Sequence, residues 1–192
     1  MITAREQSAA QDQGVVQDLG VAQDLAVAQD QAAGELLAGT AIGQLVSRGE
    51  SIAVAESLTG GMLAAALTSV PGASAVFRGA LVTYATDLKA SLLDVSADLL
   101  ARCGAVHPEV AAEMAAGVSH RLDATAGVAT TGVAGPDPAD GHPVGTVFIA
   151  VHLRGSTSGQ ALMLTGGRRA IRVATVRHAL ALLISALRED KG

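Results

Sequence analysis

Apolar residues along this chain form either short continuous runs or longer segments in which they recur every three to four positions. The short runs predict buried strands, and the longer periodic segments predict helices. The predicted strands are Ser51–Ala55, Val76–Tyr84, Thr125–Thr131, Gly145–Leu153 and Gln160–Thr165. The predicted helices are Gly34–Arg48, Thr59–Ser69, Thr86–Leu93, Ser96–Cys103, Pro108–Leu122 and Arg168–Arg188.

This order of elements predicts the fold class. Strands that alternate with helices bury their apolar sides best in an α/β domain with helices on both faces of a sheet. Strands also follow one another directly after residue 144, which favours a mixed sheet over a purely parallel one. We therefore predict a single three-layer α/β/α domain with a mixed sheet over residues 34–192.

A six-residue repeat, in which Gln-Asp recurs at every sixth position, occupies residues 11–31. Six residues turn by about 240° around a helix, so the valines of successive repeats point to different sides instead of forming one stripe. The tract is also too short for a stacked β-helix. We predict a low-complexity tail over residues 1–33 that is flexible or weakly helical, with the globular part beginning near Ala33. Contact between copies of the chain is the alternative.

Composition and charge exclude several classes of function. The formal net charge is -5 and the 13 Lys and Arg residues are scattered, which argues against a surface that binds nucleic acid. Cys103 is the single cysteine, so an internal disulfide is excluded and a reducing compartment is favoured. No targeting signal follows Met1, and no apolar run predicts a membrane span. We expect a cytoplasmic protein that binds neither nucleic acid nor membranes.

The end of the first predicted strand exposes one hydroxyl at the start of a helix. Ser57 follows the apolar run, Thr59 is able to cap the helix, and Gly60 and Gly61 leave the backbone uncovered. Unpaired N–H groups at such a position favour an anion or a developing oxyanion. Ser57 is therefore a candidate nucleophile. The alternative is an ordinary strand-to-helix turn capped by Ser or Thr.

Tyr84 ends the second predicted strand, and Lys89 falls in the first turn of the next helix, which Thr86 is able to cap. The positive end of a helix disfavours a cation and lowers the pKa of a lysine. A lysine with a lowered pKa is suited to act as a base. The alternatives are a solvated surface lysine and a tyrosine at the edge of the core with its hydroxyl in water.

Two further segments are candidates for ligand binding. Thr130, Thr131 and Gly132 end a strand at a sheet edge, where α/β folds collect ligands, although glycines also gather in turns. Arg168 and Arg172 begin the last helix, where a phosphate or carboxylate would offset their unfavourable position; an exposed basic turn is the alternative. Histidines and carboxylates lack the spacing of metal sites, so we predict no catalytic metal and no cofactor.

Together these segments resemble the CinA C-terminal domain family, the nicotinamide-nucleotide amidohydrolases, over about residues 35–188. The matching segments occur in the family's order: Ala55–Gly61, Tyr84 with Lys89, Leu92–Val95, Gly104–Val106, Glu109–Ala111, Thr131–Pro136 and Pro143–Val147. The resemblance implies hydrolysis of the carboxamide of nicotinamide mononucleotide to nicotinate mononucleotide and ammonia, within pyridine nucleotide recycling.

The resemblance also implies roles for individual residues in a Ser-Lys form of nucleophilic catalysis. Ser57 would attack the amide, and Lys89 would take the proton of Ser57 and pass it to the leaving ammonia. Tyr84 would act as a proton relay or as an orienting group. Backbone N–H groups near Thr59–Gly61 or at Thr131–Gly132 would stabilise the oxyanion.

Arg168 or Arg172 would hold the phosphate of this small-molecule nucleotide substrate. The chain departs from the family at Gly167, where Asp is common, and in the loop Asp137–Gly141, so the fit of the substrate can differ.

Two other functions stay open: a nucleotide-binding sensor without turnover, and an amidase that acts on another carboxamide. The nucleotide-pyrophosphatase domain of longer relatives has no counterpart upstream, so we expect a stand-alone form, and we expect a homo-oligomer.

Overall fold

A computed structural model describes the backbone of residues 4–190 and the side chains of residue 22 and residues 24–190. The strands in this part of the chain are β1 (Ile52–Glu56), β2 (Phe77–Val82), β3 (Ala126–Gly132), β4 (Thr146–Leu153) and β5 (Ser156–Met163). The helices are α1 (Ala4–Arg48), α2 (Met62–Thr68), α3 (Thr86–Leu93), α4 (Ala97–Cys103), α5 (Pro108–Arg121) and α6 (Arg168–Glu189).

The five strands form one sheet in the order β2-β1-β3-β4-β5. β1 pairs in parallel with both β2 and β3, whereas β4 and β5 continue the sheet in antiparallel fashion. The predicted mixed sheet is therefore confirmed. Because β1, β2 and β3 run in the same direction, their carboxyl ends meet at one edge of the sheet, where α/β folds bind ligands.

Helices cover both faces of the sheet, which confirms the predicted three-layer α/β/α architecture. Successive side chains of a strand point to opposite faces, so β1 places Ile52 and Val54 against α1, α2 and α6. Its small residues Ala53 and Ala55 face α3, α4 and α5. The small side chains on the second face let α5 lie close to the centre of the sheet.

The predicted helix start at Gly34 is wrong, because α1 begins at Ala4 and runs through the six-residue repeat. Ala, Gln and Leu have high helix propensity, which favours a helix there even without an apolar stripe. Val27 is buried and Asp30 forms a 2.7 Å ion pair with Arg177, so packing begins before the predicted boundary at residue 33. Flexibility of the tail stays a prediction, and residues 1–3 and 191–192 lie outside the described part.

The last strand is also displaced from its predicted range. β5 covers Ser156–Met163 instead of Gln160–Thr165, and it joins β4 through the two-residue turn Arg154–Gly155. Both turn residues have positive φ, as tight hairpins of this type require. The first half of β5 is polar and exposed, so no apolar pattern marks it in the sequence.

The helix α6 corrects the prediction that no apolar run is long enough to cross a membrane. An 18-residue window of α6 has a mean hydropathy of 1.5, which by length and composition alone would suffice. In the structure, however, 56% of that window is buried inside the domain. Ile171, Leu180 and Leu183 lie in the core beneath the sheet, which accounts for the apolar composition of the helix.

A substitution at Gly117 tests how closely α5 packs against α3. A Cβ atom at this helical position would lie 1.9 Å from the carbonyl oxygen of Leu93, whereas Gly43 on α1 has no neighbouring atom within 4 Å. We expect Gly117→Ala to lower the free energy of unfolding by about 1–3 kcal/mol, as overpacking does. The control Gly43→Ala should raise it by up to about 1 kcal/mol. Urea unfolding measures the free energy of unfolding of both variants. Equal changes in the two variants would contradict the close packing at Gly117.

Candidate active site

Ser57 and Lys89 meet at the carboxyl edge of the sheet. The Ser57 N–H donates to the carbonyl of Thr130 at 3.0 Å, which extends the pairing of β1 with β3 by one residue. Lys89 on α3 is fully buried, and its Nζ lies 3.2 Å from the Ser57 Oγ. The same Nζ donates to the carbonyl of Thr83 at 2.7 Å. The candidate nucleophile and the candidate base are thus within hydrogen-bond reach of each other.

Burial lowers the pKa of Lys89 from 10.5 to about 8, and the negative charge of Asp140 partly opposes this shift by raising it. The direction of this pKa shift agrees with the sequence-based expectation. Its main cause, however, is the removal of the amine from water and not the positive end of the helix. The N-cap of α3 is Ala85, so the predicted capping by Thr86 is wrong. With this pKa, roughly a tenth of the amine is neutral at pH 7.

Glu56, the residue before Ser57, organises the start of α2. Its buried carboxylate accepts hydrogen bonds from three backbone N–H groups, at distances of 2.8 to 3.1 Å. These donors are Gly61, Leu63 and Ala64. The predicted capping of α2 by Thr59 is therefore wrong: the N-cap is Gly61, without a side-chain bond of its own. The sequence signal that we missed is an acidic residue at the end of a fully apolar strand.

The residues Ser57–Gly60 form a tight turn, which we call the nucleophile turn. It is closed by the Gly60 N–H, which donates to the Ser57 carbonyl at 3.1 Å. Both predicted glycine donors, Gly60 and Gly61, thus already have acceptors within the protein. No acceptor is present in the described part of the chain for the N–H groups of Leu58 and Thr59. Both residues are buried, and Thr59 completely so.

The threonines predicted to bind substrate tie the loops of the site together. The Oγ1 atoms of Thr59 and Thr130 lie 2.7 Å apart and are buried, and the Thr131 hydroxyl donates to the Ala105 carbonyl at 2.7 Å. At Gly132, with φ of +155°, a Cβ atom would lie 2.5 Å from a carbonyl of β4. Thr59, Thr130, Thr131 and Gly132 therefore hold the loops of the site in place.

The two predicted arginine ligands have different surroundings. Arg168 is exposed and donates through Nη1 to the Gly135 carbonyl and through Nη2 to the Tyr84 hydroxyl, both at 2.8 Å. Arg172 is half-buried, and its guanidinium donates to the nucleophile turn. Within residues 4–190, no hydrogen bond links the Tyr84 hydroxyl to Ser57. Tyr84 is thus grouped with Arg168 instead of with the nucleophile.

Comparison with known proteins agrees with this geometry. Residues 34–187 match the family model described as the CinA C-terminal domain. The chain belongs to the CinA C-terminal domain family. Over 151 residues it is 52% identical to a CinA-like protein of Frankia casuarinae, an alignment that covers 79% of this chain and 35% of that relative. The chain thus spans about a third of the length of the curated relatives that it matches.

Solved structures of the family share the fold. The competence/damage inducible protein CihA of Agrobacterium tumefaciens is 40% identical, with a TM-score of 0.78 over 81% of this chain and 96% of that one. The competence damage-inducible protein A of Klebsiella pneumoniae is 33% identical, with a TM-score of 0.80 over 82% and 99% of the two chains. The sequence-based resemblance is confirmed. These names specify no reaction, so the chemistry has to be argued from the site.

The loop Asp137–Gly141 supplies one more residue to the site. The Asp140 Oδ2 accepts the Ala105 N–H at 2.7 Å, and its charge acts on Lys89. Sequence reasoning noted the loop but not this carboxylate. Among the described residues, no group of three or more His, Cys, Asp or Glu side chains is arranged to hold a metal ion.

A substitution at Glu56 tests whether its carboxylate holds the start of α2. We expect Glu56→Gln to lower the free energy of unfolding by about 2 kcal/mol, because an amide oxygen cannot replace both carboxylate oxygens as acceptors and buried N–H groups lose their partners. The exposed Glu35→Gln on α1 is the matched control and should have little effect. Thermal unfolding compares the two variants. Equal stability would show that the carboxylate does not hold α2.

Proposed function

We propose that this CinA domain hydrolyses the carboxamide of nicotinamide mononucleotide to nicotinate mononucleotide and ammonia, in cytoplasmic recycling of pyridine nucleotides. The observation that carries the proposal is the 3.2 Å contact between the Ser57 hydroxyl and the buried amine of Lys89. A lysine is costly to bury, and such residues with shifted pKa values concentrate at functional sites. The choice of substrate follows from the family resemblance.

In the first half of the reaction, neutral Lys89 accepts the proton of Ser57 while the Ser57 Oγ bonds to the carboxamide carbon. The carbonyl oxygen becomes an oxyanion, which accepts hydrogen bonds from backbone N–H groups of the nucleophile turn. When the tetrahedral intermediate collapses, Lys89 returns the proton to the departing nitrogen. Ammonia leaves, and the nicotinoyl group stays on Ser57 as an ester.

The second half repeats these steps with water. Lys89 takes a proton from a water molecule that attacks the ester carbon, and the nucleophile turn stabilises the second oxyanion. Collapse returns the proton to the Ser57 Oγ and releases the carboxylate product. The Thr83 carbonyl keeps the amine of Lys89 aimed at the nucleophile throughout, because it accepts one of the N–H groups.

We assign the phosphate of the substrate to Arg168. Its guanidinium is exposed at the start of α6, and the Tyr84 hydroxyl beside it supplies a second donor. In this assignment Tyr84 orients the substrate and does not relay the proton. The Asp137–Gly141 loop, where Asp140 approaches Lys89, supports a second candidate, namely the same chemistry on another carboxamide. A panel of carboxamides separates the two candidates.

Ammonia release from nicotinamide mononucleotide, measured with chelator present, tests the proposal. Ser57→Ala and Lys89→Met should each lower kcat at least about a hundredfold, because they remove the nucleophile and the base. Lys89→Met keeps the length of the side chain without its charge, so it should be at least as stable as the wild type at pH 7. The exposed Arg169→Met is the control. Turnover close to the wild-type rate in either active-site variant would exclude the mechanism.

The pH profile tests the state of Lys89. Only the neutral amine accepts a proton, so kcat/KM should rise tenfold per pH unit below a midpoint near 8, the pKa of Lys89, and level off above it. Asp140→Asn removes the charge that raises this pKa and should move the midpoint to lower pH. A midpoint that stays in place in Asp140→Asn would mean that another group controls the profile.

A further inference from the structure

Arg172 makes a forked contact with the backbone of the nucleophile turn. Its Nε donates to the Leu58 carbonyl at 2.9 Å, and its Nη2 donates to the Thr59 carbonyl at 2.7 Å. The two acceptors lie more than 110 residues earlier in the chain, so α6 holds the turn through a tertiary contact. The guanidinium also lies against Gly60, where a Cβ atom would be 3.2 Å from Nη2.

This contact fixes the peptide units that follow Ser57. In a trans peptide the C=O and N–H groups lie in one plane, so a carbonyl that is held in place fixes the whole peptide unit. Arg172 holds two successive units in this way, through the carbonyls of Leu58 and Thr59. Thr59 is fully buried, and its side chain is anchored by Thr130 as well, at 2.7 Å. Arg172 thus determines the path of the chain next to Ser57.

The Ser57 carbonyl is held within the turn itself. It accepts the Gly60 N–H at 3.1 Å. The nucleophile turn is therefore held both by its own hydrogen bond and by α6. Without Arg172, the Thr59 carbonyl would keep only the 3.3 Å bond from Met62, and the Leu58 carbonyl would lose its hydrogen bond to α6.

We infer that Arg172 is a positioning residue that holds the nucleophile turn and so keeps the Ser57 hydroxyl aligned with Lys89, and that it does not bind the substrate phosphate. The inference deepens the proposed function and rests on its nucleophile, Ser57, but not on the identity of the amide. A planar guanidinium suits this task because it holds two carbonyls of different peptide planes at once, which a lysine cannot do.

A fluorophosphonate probe tests the inference without any amide substrate. In labelling, the Ser57 Oγ bonds to phosphorus, fluoride leaves, Lys89 takes the serine proton, and the phosphoryl oxygen occupies the oxyanion position. We expect Arg172→Met to slow labelling at least about tenfold, because a small displacement of the nucleophile turn misaligns the Ser57 hydroxyl. Arg172→Lys should be slow as well. The neighbouring Arg169→Met is the control and should label at the wild-type rate.

The rate is measured by mass spectrometry of intact protein, alongside the unfolding midpoint of each variant. If Arg172→Met does not fold, the comparison is made with Arg172→Lys, which retains one donor. Labelling at the wild-type rate in both Arg172 variants would overturn the inference, as would full recovery in Arg172→Lys, since charge alone would then suffice. Folded wild type that is not labelled at Ser57 would also overturn it.

Turnover distinguishes positioning from phosphate binding. A positioning role predicts that Arg172→Met lowers kcat on nicotinamide mononucleotide and on the nucleoside without phosphate, with little change in KM. A rise in KM for the nucleotide alone would identify a phosphate ligand and overturn the inference. Wild type that is labelled but releases no ammonia from the nucleotide would refute the proposed substrate, and the labelling rates would still decide the role of Arg172.

Discussion

The candidate site depends on the burial of one amine. Lys89 is fully removed from water, and within the described residues no carboxylate lies within ion-pair distance of its Nζ, which contacts only the Thr83 carbonyl and the Ser57 hydroxyl. A pKa of about 8 instead of 10.5 corresponds to a cost of about 3 kcal/mol for charging this amine in the folded protein. Because the folded pKa is the lower one, this cost develops as the pH falls from 10.5 through 8, and it is complete below that. The proposed role of Lys89 as a neutral base beside Ser57 accounts for this destabilisation.

The other elements of the site keep the serine in register with that amine. The parallel pairing of β1 with β3 sets the end of β1, the carboxylate of Glu56 holds the start of α2, and the guanidinium of Arg172 holds the turn between them. Each of these contacts satisfies backbone groups that would otherwise be buried without partners. The proposed reaction therefore uses few residues, whereas the residues that position them come from several distant segments.

The sequence predicted the α/β/α fold and the mixed sheet, because the order of apolar runs and periodic segments is a local signal. The pairing of Ser57 with Lys89 came from the family resemblance, since each residue alone also fitted an ordinary structural role. The signal for Glu56, an acidic residue at the end of an apolar strand, was missed. The contact made by Arg172 leaves no trace in side-chain patterns, because its partners are backbone carbonyls of distant residues. The length of α1 was missed for a related reason: a helix without an apolar stripe shows no periodicity, and only Val27 and Asp30 show where its packing begins.

The central claim is that Lys89 is neutral at moderately alkaline pH in the folded protein, and its titration can be observed directly. The chain contains only two lysines, Lys89 and Lys191, so NMR of protein labelled with ¹³C at the lysine Cε position yields two resonances, which the Lys89→Met variant assigns. The account predicts that the Lys89 resonance titrates with a midpoint near 8. A midpoint near the ordinary lysine value of 10.5 would contradict it, because Lys89 would then be a cation throughout the working range and could not take the proton of Ser57.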